Sequence, residues 1–268
     1  MPELPDLESF KTYFLATSLN KTIENIKSES PELIQNHTLQ EFKDKLVGDQ
    51  FNDANRRGKF LIIELTNQEK KLLLHFAMTG SLHYVKQNEP GEDEDRYTRL
   101  TFQFENGYEL RWRNMRKLGK VYLTGEPNKI ELINRMGPEP LDLKFNEFDQ
   151  LLNEHPNKML KSFLMDQSDI AGIGNVYSDE ILYRAHLPPR KRITKLTDKE
   201  RKILFNKMQN VLEQGCKIRQ DTNEFSKDKW LMPHRNENMQ CPAHKDHKLK
   251  SEKVSGRTAI YCPVCQSD

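Results

Sequence analysis

Three of the four cysteines of this 268-residue chain fall within its last 28 residues, as Cys241-Pro-Ala-His244 and Cys262-Pro-Val-Cys265 with seventeen residues between them. A two-residue gap at each end lets a short loop turn two side chains toward one tetrahedral ion, and a closed four-ligand set of this kind is structural rather than catalytic. One Zn2+ ion on Cys241, His244, Cys262 and Cys265 is therefore expected. His244 keeps the symmetric spacing, and His247 and Cys216 are the alternative fourth ligands by composition. Cys216 is expected to follow a helix directly, as a buried or inert thiol. Lys248, Lys250, Lys253 and Arg257 lie between the ligand pairs on an expected β-hairpin, so the metal would brace a basic finger.

Two further stretches could do chemistry. Asp169-Ile-Ala-Gly172-Ile-Gly174-Asn175-Val-Tyr177 places glycines where the backbone must turn tightly between two helical segments, and its N–H groups are expected to face outward. With the N-terminus of the next helix they would form an anion site suited to a DNA phosphate; an ordinary helix-turn-helix connection is the plain alternative. At the start of the chain, removal of Met1 would leave Pro2 as a free secondary amine beside Glu3. Terminal amines titrate near ~8, so a useful fraction is neutral and nucleophilic at neutral pH. The plain alternative is a proline that merely opens a helix.

The elements that must position these groups follow from the pattern. Leu4, Leu7, Phe10, Phe14, Leu15 and Leu19 recur near a 3.6-residue period, which predicts an amphipathic helix over residues 3–19. Short β-rich runs follow at 60–65, 71–76, 81–85, 98–104, 108–112 and 120–123, with turn signals such as Asn106-Gly107 between them, as in an antiparallel sandwich. The acidic run 89–95 is expected to be a solvated loop. Gly137-Pro-Glu-Pro140 breaks the chain again, and helical periodicity then dominates at 145–152, 158–166, 176–185 and 197–215. The last of these opens with a capping box, Thr197 and Glu200, and is expected to end at Gly215. The boundary between domains falls near 126–145, and from about 234 the tail is a separate Cys/His-rich unit.

Composition narrows the class. Lys and Arg number 42 against 40 Asp and Glu, and 35% of residues are hydrophobic. Residues 1–180 carry 23 basic and 30 acidic groups, a net of −7, whereas residues 181–268 carry 19 and 10, a net of +9. A basic third in a near-neutral protein is the footprint of a polyanion partner. No run approaches the ~18 apolar residues of a membrane helix, and the opening Met-Pro-Glu-Leu-Pro-Asp is acidic where a signal peptide is basic. A soluble protein of the reducing cytoplasm, associated with the nucleoid through DNA, is expected.

Taken together these stretches resemble the formamidopyrimidine-DNA glycosylase and endonuclease VIII family. The resemblance spans the whole chain. It rests on MPELPDLE, Arg57-Gly58-Lys59-Phe60, His75-Phe-Ala-Met78-Thr-Gly80, Arg116-Lys-Leu118-Gly119 and Met136-Gly-Pro-Glu-Pro-Leu141. Lys158 through Tyr177 with Glu180, and Gly256-Arg257-Thr258 before Tyr261-Cys-Pro-Val-Cys-Gln266, complete it. It implies an α+β fold with an N-terminal antiparallel β-sandwich bearing the catalytic helix (1–130) and a linker (131–145). A helical DNA-binding domain with a helix-two-turn-helix motif (146–233) and a zinc-finger hairpin (234–268) would follow.

The resemblance also implies roles. Pro2 would attack the anomeric carbon and expel a damaged base, leaving an iminium link from which elimination cuts the strand, while Glu3 acts as general acid/base near the sugar ring oxygen. Lys59 would contact phosphate beside the lesion and assist chemistry; Asn175 and Arg257, with the backbone around Gly172 and Gly174, would clamp phosphates, and Lys158 would add a basic contact. Met78, Arg116 and Leu118 would fill the gap left when the lesion leaves the stack. The partner implied is double-stranded DNA with oxidised bases or abasic sites, met by a monomer.

Some positions depart from the family pattern. Asp6 stands where glutamate is more usual, Leu118 replaces an aromatic wedge, and His244 replaces a cysteine. The stretch 216–230 lacks the glycine-rich loop that covers 8-oxoguanine, which favours an oxidised pyrimidine or a ring-opened base. A non-catalytic binder of damaged DNA on the same fold, or a zinc ribbon joined to an unrelated enzyme, would share parts of this pattern. Neither requires Pro2, Glu3 and Lys59 together.

Overall fold

The computed structural model describes residues 1–67, 69–89 and 96–267, so the acidic run beyond Glu89 lies outside the described residues. Two compact units divide the chain: Met1–Pro2 with Asp6–Asn134, and Glu3–Pro5 with Arg135–Asp268.

The first unit contains most of helix α1 (Leu4–Ser18), strand β1 (Ile23–Ser28), helix α2 (Leu39–Leu46) and strands β2 (Phe51–Arg57), β3 (Phe60–Leu65) and β4 (Lys71–His75). Strands β5 (Gly80–Lys86), β6 (Thr98–Phe104), β7 (Tyr108–Asn114) and β8 (Lys120–Thr124) follow, then a short helix α3 (Glu131–Asn134). The strands form two antiparallel four-stranded sheets, in the orders β1-β6-β7-β5 and β2-β3-β4-β8. Their inner faces close on one apolar core that includes Leu7, Phe14, Phe51, Leu74, Phe102 and Trp112. Burial of such side chains stabilises by about 1.5–3 kcal/mol each, and it draws the apolar stripe of α1 onto the sandwich.

Two strands, β1 and β2, and two helices, α2 and the short α3, escaped the sequence pattern. In β1 and β2 the buried residues are three apart, Ile23 and Ile26, Phe51 and Ala54. The register slips between Ile23 and Asn25 and between Phe51 and Asp53, and such a bulge destroys the two-residue alternation by which a strand is recognised. Helix α2 starts at a capping box of Thr38 and Glu41.

The second unit is helical: α4 (Phe145–Glu154), α5 (Leu160–Met165), α6 (Asn175–Ala185) and α7 (Asp198–Asp221). Phe148, Phe163, Ile173, Tyr177, Leu204 and Met208 fill its core, which also takes in Leu4. Thr197 and Glu200 cap α7 as expected. The helix does not stop at Gly215, however. It runs on to Asp221, with Gly215 buried inside it because a Cβ there would stand 2.7 Å from Tyr177 Cε1. The glycine marks a close approach of helices rather than a C-terminus, and Cys216 accordingly lies within the helix, half-buried against the core.

Strands β9 (Lys250–Val254) and β10 (Arg257–Tyr261) form the expected antiparallel hairpin. Its two-residue turn, Ser255-Gly256, has positive φ at both positions, +47° and +79°, the mirror-image turn that matches strand twist. Among the described residues no helix is long and apolar enough to cross a membrane.

Candidate active site and nucleic-acid interface

Glu3 is 1% exposed. Its carboxylate accepts hydrogen bonds from the backbone N–H groups of Gly174 at 2.7 Å, Val176 at 2.8 Å and Tyr177 at 3.1 Å, the N-terminus of α6. The helix dipole and the free amides of a first turn favour an anion, and here the anion is the protein's own. The expectation that the glycine loop offers these amides outward to a DNA phosphate is thereby corrected. Gly172 N–H is likewise taken, by Gln167 Oε1 at 3.0 Å. Gly174 is glycine because a Cβ would stand 2.5 Å from Glu3 Cδ, and Gly172 because its φ is +83° with Leu4 Cβ 2.9 Å from where its own would be. Charge-assisted bonds of this kind hold a side chain in one position. Pro2 is half-buried and Met1 exposed.

In the first unit, Lys59 is half-buried on the β2–β3 turn, following Gly58 at φ +52°. Across the sheet Phe60 stacks on His75, ring centroids 4.7 Å apart. Burial, with the Lys59 and Lys120 ammoniums, pulls the His75 imidazole down to about 4, so at neutral pH the ring is uncharged.

Met78, Arg116 and Leu118 are brought together. The Arg116 guanidinium lies 3.1 Å from Met78 Sδ, and the Arg116 amide donates to Thr79 Oγ1 at 3.1 Å. Met78, Met115 and Leu118 are 39%, 49% and 48% exposed, an apolar tip that no core contact explains. The residue that holds the two loops was not foreseen. Asn114, fully buried, donates from Nδ2 to Phe76 O at 3.0 Å and accepts at Oδ1 from Leu118 N–H at 3.1 Å. A lone asparagine at a strand end gives no sequence signal of that role.

In the second unit Lys158 is not a free cation. Its ammonium bonds Asp169 at 2.6 Å and Asp166 at 2.9 Å, and Asp169 also meets His155 Nε2 at 3.0 Å, so its charge is largely neutralised inside the protein. This corrects the simple picture of a projecting basic contact, although Lys158 still lines a cavity of about 460 Å³ with Asn157, Ser162, Ser255 and Arg257. Ser162 Oγ and Ser255 Oγ meet at 2.7 Å at the hairpin tip, where Arg257 is exposed.

Behind Asn175 stands a buried ionic cluster that spacing did not reveal. The Lys161 ammonium, fully buried, bonds Asp179 Oδ1 at 2.5 Å, Ser178 Oγ at 3.0 Å and the Asn175 carbonyl at 3.2 Å. Arg235 donates to Asp179 Oδ2 at 2.8 Å and to the same Asn175 carbonyl at 3.2 Å, and Ile260 N–H of β10 reaches Asp179 at 3.2 Å. Burial lowers the Lys161 pKa, and Asp179 opposes that shift. One carboxylate thus ties α5, α6 and the hairpin together, and Asn175 Oδ1 is left buried with no partner among the described residues.

Cys241, Cys262 and Cys265 converge, their sulfurs all within 4.8 Å of one another. Cys241 is further fixed by the Tyr183 hydroxyl at 3.3 Å, which also accepts from Ala243 N–H. Three thiols in such a cluster can hold a metal ion. Among the described residues neither His244 nor His247 brings a ring nitrogen into the group. His244 is exposed, its ring centroid 5.3 Å from that of His247, whose Nδ1 is buried with no partner among the described residues. The expected four-ligand set is thus three cysteines with two histidines beside them, and the donor chemistry fits a thiolate-seeking metal.

Comparison with known proteins agrees with this geometry. Residues 1–121 match the model of the formamidopyrimidine-DNA glycosylase N-terminal domain, and residues 136–227 that of the formamidopyrimidine-DNA glycosylase H2TH domain. The chain is 34% identical to formamidopyrimidine-DNA glycosylase of Oceanobacillus iheyensis, covering 99% of this chain and 98% of that one. With the Pelotomaculum thermopropionicum enzyme it shares 32% identity, 99% of each being covered. Among solved structures, the Lactococcus lactis glycosylase bound to DNA containing an abasic site superposes with a TM-score of 0.86 at 26% identity over 99% of this chain and 100% of that one. MutM in complex with DNA containing carbocyclic 8-oxo-G gives 0.87 at 26% over 100% of each. An antiparallel sandwich, a glycine turn into a helix that seats the Glu3 carboxylate, and a cysteine-clustered hairpin, together with these relatives, define a DNA glycosylase of base-excision repair. The chain belongs to the formamidopyrimidine-DNA glycosylase family.

Proposed function

We propose that Pro2, once Met1 is removed, is the nucleophile of a glycosylase with abasic-site lyase activity on duplex DNA. The observation that carries this reading is the Glu3 carboxylate, seated on three amides and next in the chain to Pro2. The neutral Pro2 nitrogen attacks C1′ of the damaged nucleoside; the glycosidic bond breaks and its electron pair leaves with the base, which takes up a proton. The Glu3 carboxylate takes up the amine proton and returns it to the ring oxygen as the ring C–O bond breaks and the iminium forms. The cationic nitrogen then acidifies C2′–H, whose removal expels the 3′ phosphate and cuts the strand. Lys59 faces the lesion-flanking phosphate, and the uncharged His75 beside it adds no competing charge.

Met78, Arg116 and Leu118 fill the place of the extruded base, a role that suits their joint exposure. Asn175 and Arg257 hold backbone phosphates; residues 146–233 and 234–268 act as the DNA-binding body and finger, and 1–130 as the catalytic sandwich. Zn2+ on Cys241, Cys262 and Cys265, completed by a turn of the exposed His244 ring, would stiffen that finger. The substrate class is an oxidised or ring-opened base. Continuation of α7 through residues 216–221 uses chain from which a glycine-rich lesion cover would be made, which favours ring-opened bases and oxidised pyrimidines over 8-oxoguanine.

Borohydride trapping tests the reading. The protein is incubated with duplexes carrying an abasic site, formamidopyrimidine, 8-oxoguanine or an oxidised pyrimidine. A covalent complex that disappears in Pro2→Gly while DNA affinity persists is expected. Tight binding with no trapping on any duplex, after mass spectrometry has verified loss of Met1, would leave only a damage-binding protein.

A further inference from the structure

The segment 187–196, between α6 and α7, carries Arg190, Lys191, Arg192 and Lys195 and no acidic residue. These four side chains line a cavity of about 460 Å³. The segment is a built surface. Ile193 and Leu196 are buried beneath it, Lys191 O accepts from Leu160 N–H at 2.9 Å, and Ile193 N–H donates to Lys158 O at 3.1 Å.

Its charges are unequally compensated. Arg190 pairs with Glu252 at 2.7 Å and Lys191 with Glu200 at 2.8 Å. The Arg192 guanidinium donates to the Asn157 carbonyl at 2.7 Å, and among the described residues neither it nor the Lys195 ammonium meets a carboxylate. Two exposed cations are therefore left to solvent or to a ligand.

The lining residues are all basic, with no carboxylate or other acceptor side chain among them to read a small organic anion's own donors. Repeated cationic contacts of this kind suit an extended phosphate backbone. One hydrogen bond also links the cavity to the wall of a second one, to which Arg257 contributes. Asn157, whose carbonyl anchors Arg192, lines that neighbouring cavity with Lys158 and Arg257.

We propose that Arg192 and Lys195 form a second phosphate-backbone contact, which engages duplex DNA beyond the lesion-proximal residues and extends the binding footprint. The inference rests on the reading of the chain as a DNA-binding glycosylase.

The test is the salt dependence of binding to an undamaged duplex of about 30 base pairs, followed by fluorescence anisotropy between about 50 and 200 mM salt. Arg192→Gln/Lys195→Gln is compared with wild type and with Lys86→Gln/Lys129→Gln, which removes the same charge from the first unit. Each phosphate contact contributes about 0.9 to the slope of log affinity against log salt, so the first variant is expected to lose roughly 2 from the slope and the control almost nothing. An unchanged slope, or an equal loss in the control, overturns the proposal. Because Arg192 also holds a carbonyl, Lys195→Glu serves as an independent variant with no internal bond to break; it is expected to lower the slope by about 1, and a wild-type slope counts against the contact. Absence of any DNA binding by the wild-type chain would instead overturn the glycosylase reading itself.

Discussion

Glu3 shows how a residue's surroundings set what it can do. With three amides on its carboxylate it has no rotamer to search, and the group beside Pro2 is preorganised. Glu3→Gln is expected to lower base excision by about 10²–10⁴-fold, the usual weight of a positioned acid/base, while abasic-site cleavage through Pro2 partly survives; equal loss of both in a single-turnover assay would contradict its assignment. Its acid/base role was expected from the family resemblance alone, and its amides were not foreseen, since they lie more than 170 residues away in sequence and the glycines that admit it look like a phosphate loop. His75 gives a second test. Its folded pKa of about 4 lies below the ordinary 6.5, so the unfolded chain binds the proton more readily between those values. Stability is then full above about pH 6.5 and falls as pH drops toward 4, by at most about 3 kcal/mol from this group. Melting temperature against pH is expected to flatten across that window in His75→Gln.

At the scale of elements, the loops that carry Met78, Arg116 and Leu118 depend on one buried amide. Asn114→Ala leaves the Phe76 carbonyl and the Leu118 amide without their partner, and a loss of about 1–3 kcal/mol is expected, read as a lower melting temperature and faster proteolysis near residue 116. Thr197→Ala, which removes only the cap of α7, is expected to cost about 1 kcal/mol. The strands from Phe60 onward were legible from their density of apolar and β-branched residues, as in β4, where Leu72, Leu73 and Leu74 are all buried, and helices α1, α4, α5, α6 and α7 from the helical spacing of their apolar residues. Strands β1 and β2 were hidden by bulges that space their buried residues three apart. Gly215 misled for a related reason, since composition cannot distinguish a glycine that ends a helix from one that lets Tyr177 pack against it.

For the whole molecule, a net charge of +2 conceals a basic C-terminal third, and the cysteine-clustered hairpin lies within that third. Cys262→Ser is expected to abolish stoichiometric zinc, measured by atomic absorption, and to weaken DNA binding more than it alters lesion preference among bound substrates. Retained zinc would refute the site. The Lys161, Asp179 and Arg235 cluster carries a different consequence, one for sequence drift. Removing one member of a buried ionic set strands the others and costs about 3–5 kcal/mol, whereas replacing the whole set with apolar residues of similar volume is often neutral. Any lineage leaving this arrangement must therefore change several positions on α5, on α6 and ahead of the hairpin at once, or pass through intermediates that barely fold. The cluster acts as an epistatic lock: its residues are expected to be individually intolerant of substitution and jointly replaceable, a pattern that deep mutational scanning of single and combined variants would expose.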